Sequence, residues 1–351
     1  MKIKEKLFNE FISKLPVHSF IDQDLIDDKH KKIVKEANRK IKNDKEDFLF
    51  NFRNWKEQSD FSAPAQISFK HLKILGIKSF FKLLIKKILF FKYKAFNGAF
   101  KDDLNILKLY SNNQIIKKNP VHKTPDCNSF YIFDNDCSSN SRWNRYLYLA
   151  SQIVEKKLLI DGGFHLDIGS YYGGLQSILK KEFKNSNFIM VDFPHQLLRS
   201  YIFLKQIYPK SNHIIDFNLD KITKNLLEDS FIYIPVNSFH KIKDIEIDLL
   251  TNFFSFGEMK KKDFVEYFNS QVANSSKNIY LANRVVSSPY FEKTYDSDLN
   301  ILDYIKEETH KVKFFDILPI GHYYVPDRLL FDTYRERPIS SPYFECIQEK
   351  K

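Results

Sequence analysis

The chain has 351 residues and a net charge of +11, with 43% hydrophobic and 28% charged residues. This composition excludes a disordered chain, and the length allows one large domain or two modest ones. Three cysteines without a CxxC spacing predict neither a disulfide framework nor a zinc site. The first 15 residues mix lysine and glutamate without an apolar core, so we expect no signal peptide and a cytoplasmic location.

The positive charge is concentrated in residues 61–120, which we call the basic segment. It holds 12 lysines and two acidic residues, a net charge of +10. An apolar stripe at helical spacing begins at Ile77, and Lys78, Lys82 and Lys86 recur every four residues on another face. Such a basic amphipathic helix either packs on its own domain or lies on anionic lipid. The segment lacks an organised aromatic platform, so we expect no nucleic-acid binding.

Residues 1–144 are predicted to form a mainly helical N-terminal region. A helix that opens at Ser141 then leads into the second predicted region, residues 145–351. Three side chains at its start are candidate substrate contacts, because tryptophan stacks on sugar rings and arginine binds carboxylate or phosphate. They are Arg142, Trp143 and Arg145. Trp143 fits an interdomain anchor equally well.

Acidic pairs raise the question of a metal. Asp134 and Asp136 match the D-x-D of glycosyltransferases that hold a nucleotide-sugar through Mn²⁺ or Mg²⁺. This common motif lies before the nucleotide-binding pattern described next, so a glycosyltransferase is kept only as an alternative. Asp296 and Asp298 are interpreted as a turn, and we predict that the protein needs no metal.

The pattern of residues 163–192 predicts a strand, a glycine turn, a helix and a second strand. After the turn GSYYGG, apolar residues recur at i, i+3, i+4 and i+8, which is one face of a helix. The second strand ends on Asp192, 23 residues after Gly169. This is a βαβ unit with a carboxylate at the tip of its second strand.

The chemistry of this unit favours a nucleoside ligand. Glycines let the backbone approach a bound molecule, and a carboxylate about 20 residues on can accept ribose hydroxyls. Tyr171 replaces the second glycine of G-x-G-x-x-G and would crowd a pyrophosphate, so NAD is disfavoured. The pattern instead approaches D-x-G-x-G-x-G of S-adenosylmethionine enzymes. The predicted cofactor contacts are Asp167, Gly169, Ser170, Tyr171, Gly173, Asp192 and Phe193.

Further apolar runs continue the alternation of strands and helices. Residues 231–236 are the favoured third strand, which leaves Asn237 and Ser238 near the adenine of a bound cofactor. The fourth and fifth strands are predicted at residues 247–252 and 278–282. The tail, residues 314–330, is predicted to supply one or two more strands as an antiparallel edge hairpin. We therefore predict an α/β, Rossmann-like, doubly wound and mostly parallel seven-stranded sheet.

The stretch DIGSYYGGLQSILKKEFKNSNFIMVDFPHQLL resembles bacterial sugar O-methyltransferases, a Rossmann-like family whose loop runs D-I-G-x-G-Y-G-G and whose second strand ends V-D-x-P. The later TNFFSFGEM is similar to the N-x-x-S-F-x-E-M segment of the same family. The resemblance covers Arg145 to Arg284. It implies a bacterial enzyme that uses S-adenosylmethionine to methylate a sugar hydroxyl of a glycan or polysaccharide precursor.

Methylation of a sugar hydroxyl calls for positioning and a general base. The catalytic candidates lie at or just after the tip of the fourth strand, and they are Glu258, Asn252 and Ser255. Glu258 is the predicted base because the other two can only orient a substrate, although an acid favoured at a helix N-terminus is the alternative. His322 is added as a substrate-binding candidate.

The expected partners follow from this resemblance and from the charge of the basic segment. A lipid-linked or nucleotide-linked acceptor would suit the basic helix, and residues 77–94 would then contact the inner face of a membrane. A homo-oligomer is compatible with the sequence. Small molecules, RNA and proteins stay open as alternative acceptors.

Overall fold

The structure is a computed structural model, and only part of the chain is described. The described residues are 2–15, 103–110, 113–120, 131–133, 137–139, 141–215, 229–287, 298–320 and 343–351, with scattered positions between 35 and 85. Most of the basic segment, His322, the D-x-D acids and Asp296 lie outside them. Among the described residues, no helix is long and apolar enough to cross a membrane.

Seven helices and ten strands are bounded within the described residues. The helices are α1 (Lys2–Lys14), α2 (Asn113–Lys118), α3 (Ser141–Glu155), α4 (Gly174–Glu182), α5 (Pro194–Ile207), α6 (Lys261–Phe268) and α7 (Gln271–Ser275). The strands are β1 (Tyr131–Phe133), β2 (Cys137–Ser139), β3 (Phe164–Ile168), β4 (Asn187–Asp192), β5 (Asn212–Ile214), β6 (Ser230–Pro235), β7 (Leu249–Phe253), β8 (Asn278–Arg284), β9 (His310–Ile317) and β10 (Tyr343–Lys350). Short 3₁₀ helices cover Val236–Lys241, Phe256–Glu258 and Ile301–Tyr304.

Strands β3 to β10 form one eight-stranded sheet in the order β5-β6-β4-β3-β7-β8-β10-β9. All neighbours pair in parallel except β10, which is antiparallel to both β8 and β9. The predicted Rossmann-like α/β class is confirmed, and the favoured third strand does lie next to β4. The sheet has eight strands and not seven, because β5 adds a short edge.

The central strands of the sheet are buried on both faces, which explains why they are nearly continuous apolar runs. Every residue of β3, β4, β6 and β7 is buried. One face packs on an aromatic group from α6 and the preceding 3₁₀ helix, including Phe256, Phe264 and Phe268. Helix α5 packs beside β4 and β6.

The residues fall into two compact units. The first unit comprises residues 1–50, 154–318 and 341–351, and the second comprises 51–153 and 319–340. The first unit contains the whole eight-stranded sheet. Its inclusion of residues 1–50 differs from the single N-terminal region that the sequence suggested.

Helix α1 shows why the first residues belong with the sheet. It packs on α5, and its Phe11 is fully buried. The ring centroid of Phe11 lies 5.5 Å from that of Tyr201 and 6.2 Å from that of Tyr233. Burying one phenylalanine contributes about 1.5–3 kcal/mol. Tyr233 lies on β6, so this aromatic contact fixes the helix to a strand far along the chain.

Candidate functional site

The predicted cofactor contacts and catalytic candidates lie at one edge of the sheet, whereas the predicted substrate contacts in α3 belong to the second unit. The order of the strands reverses between β3 and β7, and in open α/β sheets ligands bind outside the carboxyl ends of the strands at this point. The glycine loop, residues 169–173, follows β3, and Asp192 ends β4. The loop after β7, residues 254–258, carries the predicted base. Distant parts of the sequence therefore come together at the switch point of the sheet.

The carboxylate of Asp192 is held in a fixed orientation. Its Oδ2 accepts the backbone N–H of Tyr171 at 2.7 Å, and its Oδ1 accepts the backbone N–H of Phe193 at 2.7 Å. The first bond joins the glycine loop to the tip of β4. The predicted ribose acceptor and the predicted loop are thus parts of one rigid structure.

Tyr171 takes the backbone conformation that its position in the loop demands. Its φ is 56°, in the left-handed region that glycine normally occupies, and Gly169 and Gly173 on either side have φ of 84° and 79°. The tyrosine ring contacts Tyr172 with centroids 5.2 Å apart. The loop therefore keeps its turn with a tyrosine in place of the middle glycine, at a backbone cost of roughly 1–2 kcal/mol.

Gly169 is also the point where the glycine loop meets the loop after β7. A Cβ at this position would lie 2.6 Å from both Cβ and Oγ of Ser255. No side chain fits there without displacing Ser255. The close approach places one predicted catalytic residue directly against the predicted cofactor loop.

Ser170 supplies a polar group without a protein partner. Its side chain is buried, and its Oγ makes no hydrogen bond to any described residue. Buried hydroxyl groups normally have a partner, so a hydroxyl in a glycine loop that lacks one is suited to a polar ligand group.

Asp167, in contrast, is occupied within the protein. Its Oδ1 accepts from the Thr251 hydroxyl and its Oδ2 from the Gln176 amide, both at 2.6 Å. Burial raises the pKa of Asp167 to about 6, while the two hydrogen bonds lower it. Asp167 therefore braces the protein and does not have the predicted role of a cofactor contact, because its carboxylate connects β3 to β7 and α4.

His165 extends this buried network. Its Nε2 lies 2.8 Å from the hydroxyl of Thr251, and burial lowers the pKa of His165 to about 3. Because the hydroxyl donates its only proton to Asp167, it accepts from the N–H of a neutral imidazole. The sequence reasoning missed His165, Thr251 and Gln176, although His165 and Asp167 share one face of β3 at period two.

Asn252 has a structural role instead of the predicted catalytic one. It is fully buried. Its Nδ2 donates to the carbonyl of Ile168 at 2.6 Å, and its Oδ1 accepts from the Phe256 N–H at 2.9 Å and from Asn283 Nδ2 at 3.0 Å. The amide therefore connects β3, β8 and the loop after β7 and has no exposed atom to orient a substrate.

Glu258 lies at the end of that loop in an ionic cluster. Its Oε1 is 3.1 Å from Nη2 of Arg284, which ends β8. The Nε of Arg284 donates to the hydroxyl of Tyr343 at 3.0 Å. The side chain of Glu258 is 32% exposed, so solvent can reach it. Arg284 and Tyr343 were not among the predicted site residues.

The predicted adenine contacts lie on the other side of the glycine loop. Asn237 is exposed and Ser238 partly exposed in the 3₁₀ helix that follows β6. Phe193 precedes α5, with its ring stacked on that of His195 at a centroid distance of 5.8 Å. Phe193 thus follows β4, and Asn237 and Ser238 follow β6.

The predicted substrate contacts in α3 belong to the second unit. The ring of Trp143 is buried, and its Nε1 donates to the carbonyl of Asn119 at 2.8 Å. It anchors α3 within its own unit, so its face is not available for stacking on a sugar. Arg142 and Arg145 are half-buried on the same helix.

Comparison with known proteins gives structural neighbours only. No family model matches the chain, and no curated protein is significantly similar to it in sequence. An rRNA methylase from Streptococcus thermophilus aligns with 12% identity over 59% of this chain and 93% of the neighbour, with a TM-score of 0.33. Magnesium protoporphyrin IX methyltransferase from Synechocystis, with bound S-adenosylhomocysteine, aligns with 6% identity over 60% and 84%, with a TM-score of 0.40.

A third neighbour, TrmK from M. capricolum in complex with S-adenosylhomocysteine, aligns with 13% identity over 60% of this chain and 67% of its own, with a TM-score of 0.32. At these identities and TM-scores the neighbours say nothing about the reaction or the acceptor of this chain.

Proposed function

We propose that this chain is an S-adenosylmethionine-dependent methyltransferase that acts on a sugar hydroxyl of a glycan or polysaccharide precursor. The observation that carries the proposal is the hydrogen bond between the glycine loop and Asp192, which lies at the switch point of the sheet. A nucleoside needs a carboxylate for its ribose and a close backbone approach, and this edge offers both.

The residues present fit the cofactor. Asp192 would accept the ribose hydroxyls, and Ser170, with its unpartnered buried Oγ, would bind a polar group beside the glycine loop. Phe193, Asn237 and Ser238 would border the adenine. When bound, the cofactor supplies an electrophilic methyl group.

The acceptor side of the site supplies a carboxylate. A sugar hydroxyl is a poor nucleophile, and Glu258 would hold that hydroxyl and accept its proton. Arg284 and Tyr343 would hold the carboxylate in place. Ser255 would keep this loop close to the glycine loop, since it contacts Gly169.

Calorimetric titration with S-adenosylhomocysteine tests the cofactor. We expect micromolar binding to the wild type and at least about a hundredfold weaker binding to Asp192→Ala, because each charge-assisted hydrogen bond contributes about 1.5–3 kcal/mol. Glu308→Ala is the control, since it removes an exposed acid that lies far from Asp192 in the sequence. A folded wild type that binds no S-adenosylhomocysteine would contradict the proposal.

A methyl-transfer screen then tests the acceptor separately. We expect turnover with nucleotide-linked or lipid-linked sugars and none with RNA or protein. Cofactor binding together with transfer only to RNA, protein or an unrelated small molecule would refute the sugar acceptor and leave the cofactor assignment intact.

A further inference from the structure

The basic segment carries an exposed apolar stripe. Ile77, Phe81 and Ile85 are helical, with 68%, 54% and 53% of their surfaces exposed, and Leu84 is partly exposed. Residues four apart in a helix are displaced by only about 40° around its axis, so the first three lie along one face. Large apolar side chains in a row are normally buried, and such a stripe indicates a contact surface.

The charge around the stripe decides which contact it fits. Lys78 is exposed beside Ile77, and in the sequence Lys82 and Lys86 follow at the same spacing. The whole segment has 12 lysines and only two acidic residues, whereas the rest of the chain is almost neutral. Apolar residues flanked by lysines suit a surface that is apolar inside and negative outside.

We propose that the apolar stripe of Ile77, Phe81 and Ile85 docks the protein on a bilayer surface that contains anionic lipid. The apolar stripe enters the boundary between headgroups and acyl chains, and the lysines of the basic segment bind the headgroups. The lysines interrupt the segment too often for it to span the bilayer. This proposal does not depend on the methyltransferase assignment.

Vesicle co-sedimentation of the full chain tests the proposal. We expect the protein to sediment with vesicles of phosphatidylcholine and phosphatidylglycerol but not with phosphatidylcholine alone, and to be released by high salt. Three triple variants separate the contributions of the stripe, its lysines and net charge. They are I77S/F81S/I85S, K78E/K82E/K86E and, as the control with the same charge change on exposed lysines elsewhere, K184E/K210E/K262E.

The stripe variant and the stripe-lysine variant should each reduce the sedimented fraction at least about tenfold, while the control variant stays close to wild type. Circular dichroism and the melting temperature verify that each variant is folded. Absence of wild-type sedimentation, or an equal loss in the control variant, would overturn the proposal. The proposal would also be overturned if the wild type forms a dimer in the absence of vesicles and the stripe variant is a monomer. The stripe would then contact a second copy of the chain.

Discussion

The two sides of the switch point are built in different ways. On the side of β3 and β4, the site consists of a glycine loop, backbone amides and Asp192, all within 24 residues from Gly169 to Asp192. On the side of β7 and β8, it consists of the side chains of Glu258, Arg284 and Tyr343. The first side is local in sequence and the second is assembled from three distant strands or loops. This difference suggests that binding of the cofactor and removal of the proton can be disrupted independently.

The largest separable effect is expected from Glu258→Gln. This change keeps the shape of the side chain but removes the base, so kcat should fall about 10²–10⁴-fold while affinity for S-adenosylhomocysteine stays unchanged. Kinetics and calorimetry on the same preparation measure both quantities. Unaltered turnover would contradict the role of Glu258 as a base and leave it a structural one beside Arg284.

Asn252 joins the two sides, and its removal should destabilise both. Asn252→Ala leaves the Ile168 carbonyl and the Phe256 N–H without their buried partner, at about 1–3 kcal/mol for each group. We expect a loss of about 3 kcal/mol in the free energy of unfolding, measured with urea. The exposed Asn269→Ala serves as control and should change the free energy by less than about 0.5 kcal/mol.

The buried network behind the site should make stability depend on pH. The pKa of His165 is lowered to about 3 in the folded protein, below its ordinary value of 6.5. The unfolded chain therefore binds a proton as pH falls below about 6.5 while the folded protein does not, so stability decreases toward acid. Burial raises the pKa of Asp167, which favours folding at low pH and opposes this trend.

The His165 contribution can be isolated with His165→Gln, which retains a donor for Thr251. Between pH 6 and 5, the wild type should lose up to about 1.4 kcal/mol more free energy of unfolding per pH unit than the variant. Parallel pH curves for the two proteins would mean that His165 is not neutral in the folded state.

The smallest effect is expected at Tyr171. Tyr171→Gly relieves the left-handed backbone but loses the ring contact with Tyr172, so the melting temperature should change little and cofactor affinity should persist. Tyr171→Val is the contrast, because a β-branched residue at positive φ should cost roughly 1–2 kcal/mol. Equal stability of the two variants would contradict the argument that the positive φ at position 171 strains a β-branched residue.

The amino-acid sequence alone was enough to predict the βαβ unit, the Rossmann-like class, the third strand and the position of Asp192, because glycine turns and apolar periodicity act over neighbouring residues. It was not enough to predict that Asp167 and Asn252 brace the core, that Trp143 anchors its own unit, or that Arg284 and Tyr343 hold Glu258. Each of these depends on a partner at least nine residues away and often on another strand. Local patterns specify where a side chain stands along its own element, but pairing between distant strands specifies what it contacts.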